Sequence, residues 1–188
     1  MNAMNWDNYQ QKFTEILNGT INDTPYNQKV YLEYVKLNQS RTKRWMKRSM
    51  ILEETNSAIK NITTPLNWIL ITEPWCGDAA HSTPIIYQIA ELSDMINLEI
   101  QLRDSNSEID RYLSDGNKSI PKLIVRNENN LDLFTWGARP EACQKMVIEL
   151  KEKSMSSQDK TMRIQQWYNN DRGRSIQNEI ISLLKGCV

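Results

Sequence analysis

Cysteine and histidine are scarce in this 188-residue chain, and that scarcity limits its chemistry. The three cysteines, Cys76, Cys143 and Cys187, are too few and too scattered for the disulfide framework of a small secreted domain. His81 is the only histidine, so no ligand spacing suggests zinc, and we expect neither a metal nor a cofactor. The N-terminal residues do not resemble a secretory signal, so we expect a reducing, cytoplasmic location.

Long apolar runs and an excess of charge of one sign are also absent. No run approaches the roughly 20 residues of a membrane span, and the mean hydropathy is −0.62, so we expect no membrane partner. Lys plus Arg and Asp plus Glu number 23 each. This balance gives no reason to expect a nucleic-acid partner.

One basic segment, KLNQSRTKRWMKRS, stands out against that balance because it carries six Lys or Arg residues around Trp45. Such a segment could contact nucleic acid or an acidic protein. A solvated basic helix face with Trp45 turned into the core explains it more simply, and we adopt that interpretation.

Three regions follow one another along the chain. Residues 1–64 show helical spacing of apolar residues and predict an N-terminal helical extension packed on the core, with one long helix from Arg41 to Lys60. Residues 65–153 alternate short apolar runs with helical stripes, in the order β-α-β-α-β-β-α. Residues 154–188 predict a C-terminal helical extension.

The motifs of the central region resemble those of the thioredoxin superfamily. The first strand, LNWILIT, leads into EPWCGDA at Glu73–Ala79, a proline follows Cys76 by eight residues at Pro84, and SIPKLIV places Pro121 before a strand. LRD at Leu102–Asp104, IPKL at Ile120–Leu123 and WGARP at Trp136–Pro140 resemble a bacterial branch with a WCGDA single-cysteine motif. The resemblance implies an α/β fold with a central mixed sheet, flanking helices and extra helices at both termini.

The same resemblance implies a site around Cys76. Cys76 is the candidate nucleophile, and Trp75, Gly77, Asp78, Ile120 and Pro121 are candidate binding residues, with the Ile120–Pro121 bond cis and near Cys76. Two departures matter. Ala79 stands where thioredoxins carry their second cysteine, and Leu70 stands where they bury an acid. The first departure argues against dithiol exchange within one site.

A cysteine on an exposed loop at a helix N-terminus gains thiolate character from the helix dipole, while a nearby aspartate such as Asp78 opposes it or caps the helix. We therefore expect a moderately reactive Cys76 with a pKa of roughly 7–8.5. Such a thiol could perform monothiol exchange or thiol sensing with a protein thiol or disulfide or a low-molecular-weight thiol, and Cys187 could resolve the mixed disulfide.

Two other hypotheses stay open. The first is a non-catalytic thioredoxin-fold module that binds a peptide or protein in a groove beside Trp75 and Pro121. The second is assembly through the helical extensions, which would bury Trp45 or Trp167. Cys143 lies on an apolar helical stripe and is interpreted as packing, and His81 is given no catalytic role.

Overall fold

A single mixed sheet of five strands forms the centre of the protein. The computed structural model describes residues 3–187. The strands lie side by side in the order β1-β3-β2-β4-β5, and only β1 was not foreseen from the sequence. They are β1 (Ala3–Met4), β2 (Leu66–Thr72), β3 (Ile96–Leu102), β4 (Lys122–Asn127) and β5 (Asp132–Gly137).

The central strand is the apolar run LNWILIT. It pairs in parallel with β3, where Leu70 is opposite Ile100, and antiparallel with β4, where Leu70 is opposite Leu123. Leu70 is completely buried. A strand covered on both faces needs apolar residues at nearly every position, which explains the continuous run.

Seven α-helices and one 3₁₀ helix are present within residues 3–187. The second helix of the order predicted for residues 65–153 is the short 3₁₀ helix Glu108–Arg111. The α-helices are α1 (Trp6–Leu17), α2 (Lys29–Arg48), α3 (Glu53–Lys60), α4 (Gly77–Ala90), α5 (Glu141–Glu152), α6 (Ser157–Asp171) and α7 (Arg174–Lys185).

The prediction of one long helix from Arg41 to Lys60 is wrong. The chain is helical from Lys29, leaves the helix after Arg48 and starts a new one at Glu53. The buried side chain of Gln177 holds the break open, since its Oε1 accepts from Leu52 N–H at 2.9 Å and its Nε2 donates to the Met50 carbonyl at 3.0 Å. These bonds satisfy backbone groups that a continuous helix would have paired internally.

One hydrophobic cluster joins the sheet to both terminal regions. Phe13 and Ile59 from the N-terminal helices, Leu70 from β2 and Ile180 from α7 all belong to it and are completely buried. The predicted architecture, a central mixed sheet flanked by helices with further helices at both ends, is confirmed. None of the helices within residues 3–187 has the length and apolar character needed to cross a membrane.

Candidate functional site

Cys76 lies at the junction between β2 and α4, where it is the N-cap residue of the helix. Its side chain is buried, with 7% of its surface exposed, and its thiol donates a hydrogen bond to the Ile120 carbonyl at 3.4 Å. The Ile120–Pro121 peptide bond is cis, as expected from the sequence. Cys76 and the segment before β4 are therefore in direct contact.

Burial decides the protonation state of this cysteine. It raises the pKa of the Cys76 thiol to about 12, and the neighbouring charge of Asp78 acts in the same direction. Hydrogen bonds from the backbone N–H groups of Ala79 and Asp78, and the charge of Arg139, lower the pKa but do not outweigh burial. The expectation of an exposed thiol with a pKa of 7–8.5 is wrong, because the loop is covered by the rest of the fold.

Asp78 does not cap α4. Its carboxylate forms an ion pair with Arg139 at 2.6 Å and accepts a hydrogen bond from the Tyr168 hydroxyl at 3.0 Å. Arg139 comes from the WGARP segment and Tyr168 from α6, so the carboxylate joins three distant parts of the chain. Because both side chains lie far away in sequence, local spacing gave no sign of them.

A buried glutamate precedes the cysteine. Glu73 accepts hydrogen bonds from the Tyr26 hydroxyl and the Asp104 backbone N–H, each at 2.9 Å, and burial raises the pKa of its carboxyl group. Glu73 thus joins the EPWCGDA and LRD segments. Leu70, where the superfamily buries an acid, packs in the core instead.

Trp75 forms a half-buried wall beside the cysteine. The Arg103 guanidinium lies over its ring, 4.6 Å from the centroid, and the Tyr31 ring meets it edge-on at 6.0 Å. Arg103 is itself paired with Asp104 at 2.8 Å. Gly77 follows as the first residue of α4, close to the side chain of Arg41.

Trp75, Cys76, Asp78, Arg103 and Arg139 border a groove with a volume of about 690 Å³. Of the predicted site residues, four line the groove: Trp75, Cys76, Asp78 and Ile120. Gly77 lies between Cys76 and Asp78 in the chain, and Pro121 follows Ile120, but neither of them lines it. The other lining residues were not among the predicted site residues, although Arg103, Ser119 and residues 137–139 belong to the LRD, SIPKLIV and WGARP segments. These other lining residues are Arg103, Ser114, Asp115, Asn117, Lys118, Ser119, Gly137, Ala138, Arg139, Gln144 and Lys151.

His81 lies on α4 and is completely buried. Its Nδ1 accepts from the Trp45 indole at 2.8 Å, and its Nε2 bonds to Gln165 Oε1 at 2.7 Å. The ring stacks on Tyr168 with centroids 4.4 Å apart. Trp45 is therefore an internal residue, 5% exposed, and is not available for assembly between chains.

The other cysteines are separate from Cys76, and all three are free. Cys143 is completely buried in a cluster with Val147 and Tyr168, in agreement with its interpretation as packing. Cys187 is exposed and donates to the Leu133 carbonyl at 3.6 Å. Among the described residues, no group of three or more His, Cys, Asp or Glu side chains is arranged to hold a metal.

Two solved structures resemble the fold of this protein. A protein of unknown function from Pseudomonas aeruginosa is 14% identical with a TM-score of 0.62, over 83% of this chain and 91% of its own. An HIV epitope scaffold is 15% identical with a TM-score of 0.60, over 83% of this chain and 92% of its own. At such low identity, these matches show a shared fold alone.

No curated protein gives a significant match. A family model described as Thioredoxin matches residues 25–170. This range includes the EPWCGDA and IPKL segments, every strand except β1, and most of α6. The chain therefore belongs to the thioredoxin family.

Proposed function

We propose that this protein is a non-catalytic binding module of the thioredoxin family, whose groove holds an extended segment of a partner protein. The observation that carries the proposal is the state of Cys76, whose thiol is buried, protonated and hydrogen-bonded to Ile120. Thiol exchange requires the thiolate. Ala79 supplies no second thiol, so dithiol exchange has no resolving group at this position.

The groove itself suits a peptide. Its volume of about 690 Å³ lies within the range of ligand sites, and Trp75 offers an aromatic surface at its edge. Ile120 lies just before β4 and lines the groove, and none of the hydrogen bonds found within residues 3–187 uses its backbone N–H. A partner in extended conformation would add its own carbonyl there.

A displayed peptide library tests this proposal. Peptides selected on the wild type should lose about tenfold or more in affinity for Trp75→Ala, because that substitution removes the aromatic wall. Trp167→Ala is the matched control, since Trp167 is also a half-buried tryptophan but lies outside the groove lining. Equal losses with the two variants, or no selected peptides, would count against a peptide groove. Fluorescence polarisation gives the dissociation constants.

Monothiol exchange is the second candidate, and one specific observation favours it. The backbone N–H groups of Asp78 and Ala79 bond to the Cys76 sulfur, and that sulfur borders the groove. In this reaction the Cys76 thiolate attacks a disulfide, forms a mixed disulfide and releases a thiolate that takes up a proton. A second, external thiol then attacks the mixed disulfide and restores Cys76.

The family branch and the cellular location that we propose are the same for the binding module and for monothiol exchange. We place the protein in the bacterial WCGDA branch, on the EPWCGDA and WGARP segments, and in the cytoplasm, where three free cysteines would persist. The partner is a protein thiol or disulfide, or a low-molecular-weight thiol, under the exchange hypothesis. It is an extended protein segment under the binding hypothesis.

A further inference from the structure

Four arginines surround a second pocket, which has a volume of about 580 Å³ and shares no lining residue with the groove. It lies between the C-terminal end of α2 and the turn that joins α6 to α7. No Asp or Glu lines it. The lining residues are Arg44, Trp45, Arg48, Met50, Leu52, Asn169, Arg172 and Arg174.

The four guanidinium groups have no carboxylate partner among residues 3–187. Arg44 donates to the neutral side-chain oxygen of Asn169 at 2.8 Å. Asp171, the acid next to the turn, accepts from the backbone N–H and the hydroxyl of Ser175 instead. Cations gathered around one cavity repel each other, so an anion placed among them gains from all four.

The frame that carries these arginines is fixed by buried contacts. Gln177, which is completely buried, bonds to the backbone of Met50 and Leu52 and so ties the pocket's edge to α7. The turn after α6 is equally constrained, because Gly173 has a φ of +76° and a Cβ there would collide with Ile85. The backbone on both sides of the pocket is therefore fixed.

Three of the residues that line the pocket are apolar, namely Trp45, Met50 and Leu52. The indole N–H of Trp45 is donated to His81, and the Arg44 guanidinium lies over its ring, 5.3 Å from the centroid. Met50 is 78% exposed beside it, and Leu52 is half-buried. An exposed methionine and a half-buried leucine, next to arginines that have no carboxylate partner, suit a ligand with one anionic end and one apolar end.

We propose that this pocket binds a small phosphate ester, with its phosphoryl group among the arginines and its apolar body against Met50 and Leu52. Guanidinium groups bind phosphate oxygens in pairs, which gives both strength and orientation. A volume of about 580 Å³ is that of a small-molecule site. The arginines meet at one cavity and the chain carries no net charge, which favours a small ligand over nucleic acid.

Calorimetric titration of the full chain with phenyl phosphate tests the proposal at low salt. The double variant Arg48→Gln/Arg174→Gln should bind about tenfold more weakly than wild type or worse, because both cations line the pocket. Lys43→Gln/Lys47→Gln is the matched control. It removes the same charge from exposed positions of α2 outside the lining and should change binding by less than about threefold. Thermal unfolding confirms that both variants fold.

Three results would overturn the proposal. The first is wild-type protein that gives no saturable binding of phenyl phosphate. The second is equal weakening in both double variants, which would indicate general electrostatic attraction. The third is an oligothymidylate that binds more tightly than phenyl phosphate and loses affinity equally in both variants, which would assign this surface to nucleic acid.

Discussion

At the scale of the residue, opposing influences act on the Cys76 sulfur. The helix N-terminus directs two backbone N–H groups at it, which favours the thiolate, while burial and the carboxylate of Asp78 favour the thiol. Dipole stabilisation at an exposed site is about 0.3–1 kcal/mol, which is less than one pKa unit. Burial is the larger effect here and raises the pKa of the Cys76 thiol to about 12.

Asp78→Asn should lower the pKa of Cys76 and leave it above that of a free cysteine. The substitution removes the second-largest influence that raises this pKa, but burial, the largest, stays. The measurement is the pH dependence of iodoacetamide labelling of Cys76, read by peptide mass spectrometry.

Asp115→Asn is the control for that variant. Asp115 also borders the groove, and its φ of +49° suits asparagine equally well, so the same charge is lost without disturbing the backbone. A shift of the same size in both variants would mean that the general charge of the groove, and not Asp78, sets the pKa.

At the scale of the element, His81 connects three helices. It lies on α4, accepts from Trp45 on α2 and bonds to Gln165 on α6. Burial lowers the pKa of His81 to about 3, and the nearby charges of Arg41 and Arg44 act in the same direction. The imidazole is therefore neutral in the folded protein at all but strongly acidic pH.

This neutral imidazole should make the protein less stable in mild acid. The unfolded chain takes up the proton below about pH 6.5 and the folded chain only near pH 3, so stability falls as pH decreases through that window. At about pH 5 the loss attributable to His81 is about 2 kcal/mol. His81 is the chain's only histidine, which simplifies the assignment.

Urea unfolding of wild type and His81→Gln at about pH 7.5 and pH 5 measures this effect. Glutamine can accept and donate a hydrogen bond but does not titrate. The free energy of unfolding of the wild type should drop by about 2 kcal/mol more than that of the variant. Parallel drops would show that His81 is not the responsible group.

Elements differ in how far the sequence determines them. The β2 run and the Trp-Cys-Gly turn into α4 were predictable, because a buried strand and a helix start leave local patterns in LNWILIT and EPWCGDA. The break between α2 and α3 was not. It depends on Gln177, which lies 125 residues beyond Leu52, and no Gly or Pro marks residues 49–52.

At the scale of the whole molecule, distant segments determine the state of the site. The sequence placed Trp75, Cys76, Asp78 and Ile120 together through the motifs that contain them, and the structure has them lining one groove. It did not reveal that Arg139 and Tyr168 engage Asp78, or that the surrounding fold buries Cys76. Motifs therefore located the cysteine, but its reactivity depends on packing that only the complete fold supplies.

The rate of Cys76 alkylation in the folded protein, compared with the urea-unfolded protein, tests the central claim most directly. The Cys187→Ser variant removes the exposed thiol, and peptide mapping separates Cys76 from Cys143. At about pH 8 a buried thiol with a pKa of about 12 should react at least about a hundredfold more slowly when folded than when unfolded. A folded rate equal to or above the unfolded rate, with a titration midpoint below about pH 9, would contradict the account and favour monothiol exchange.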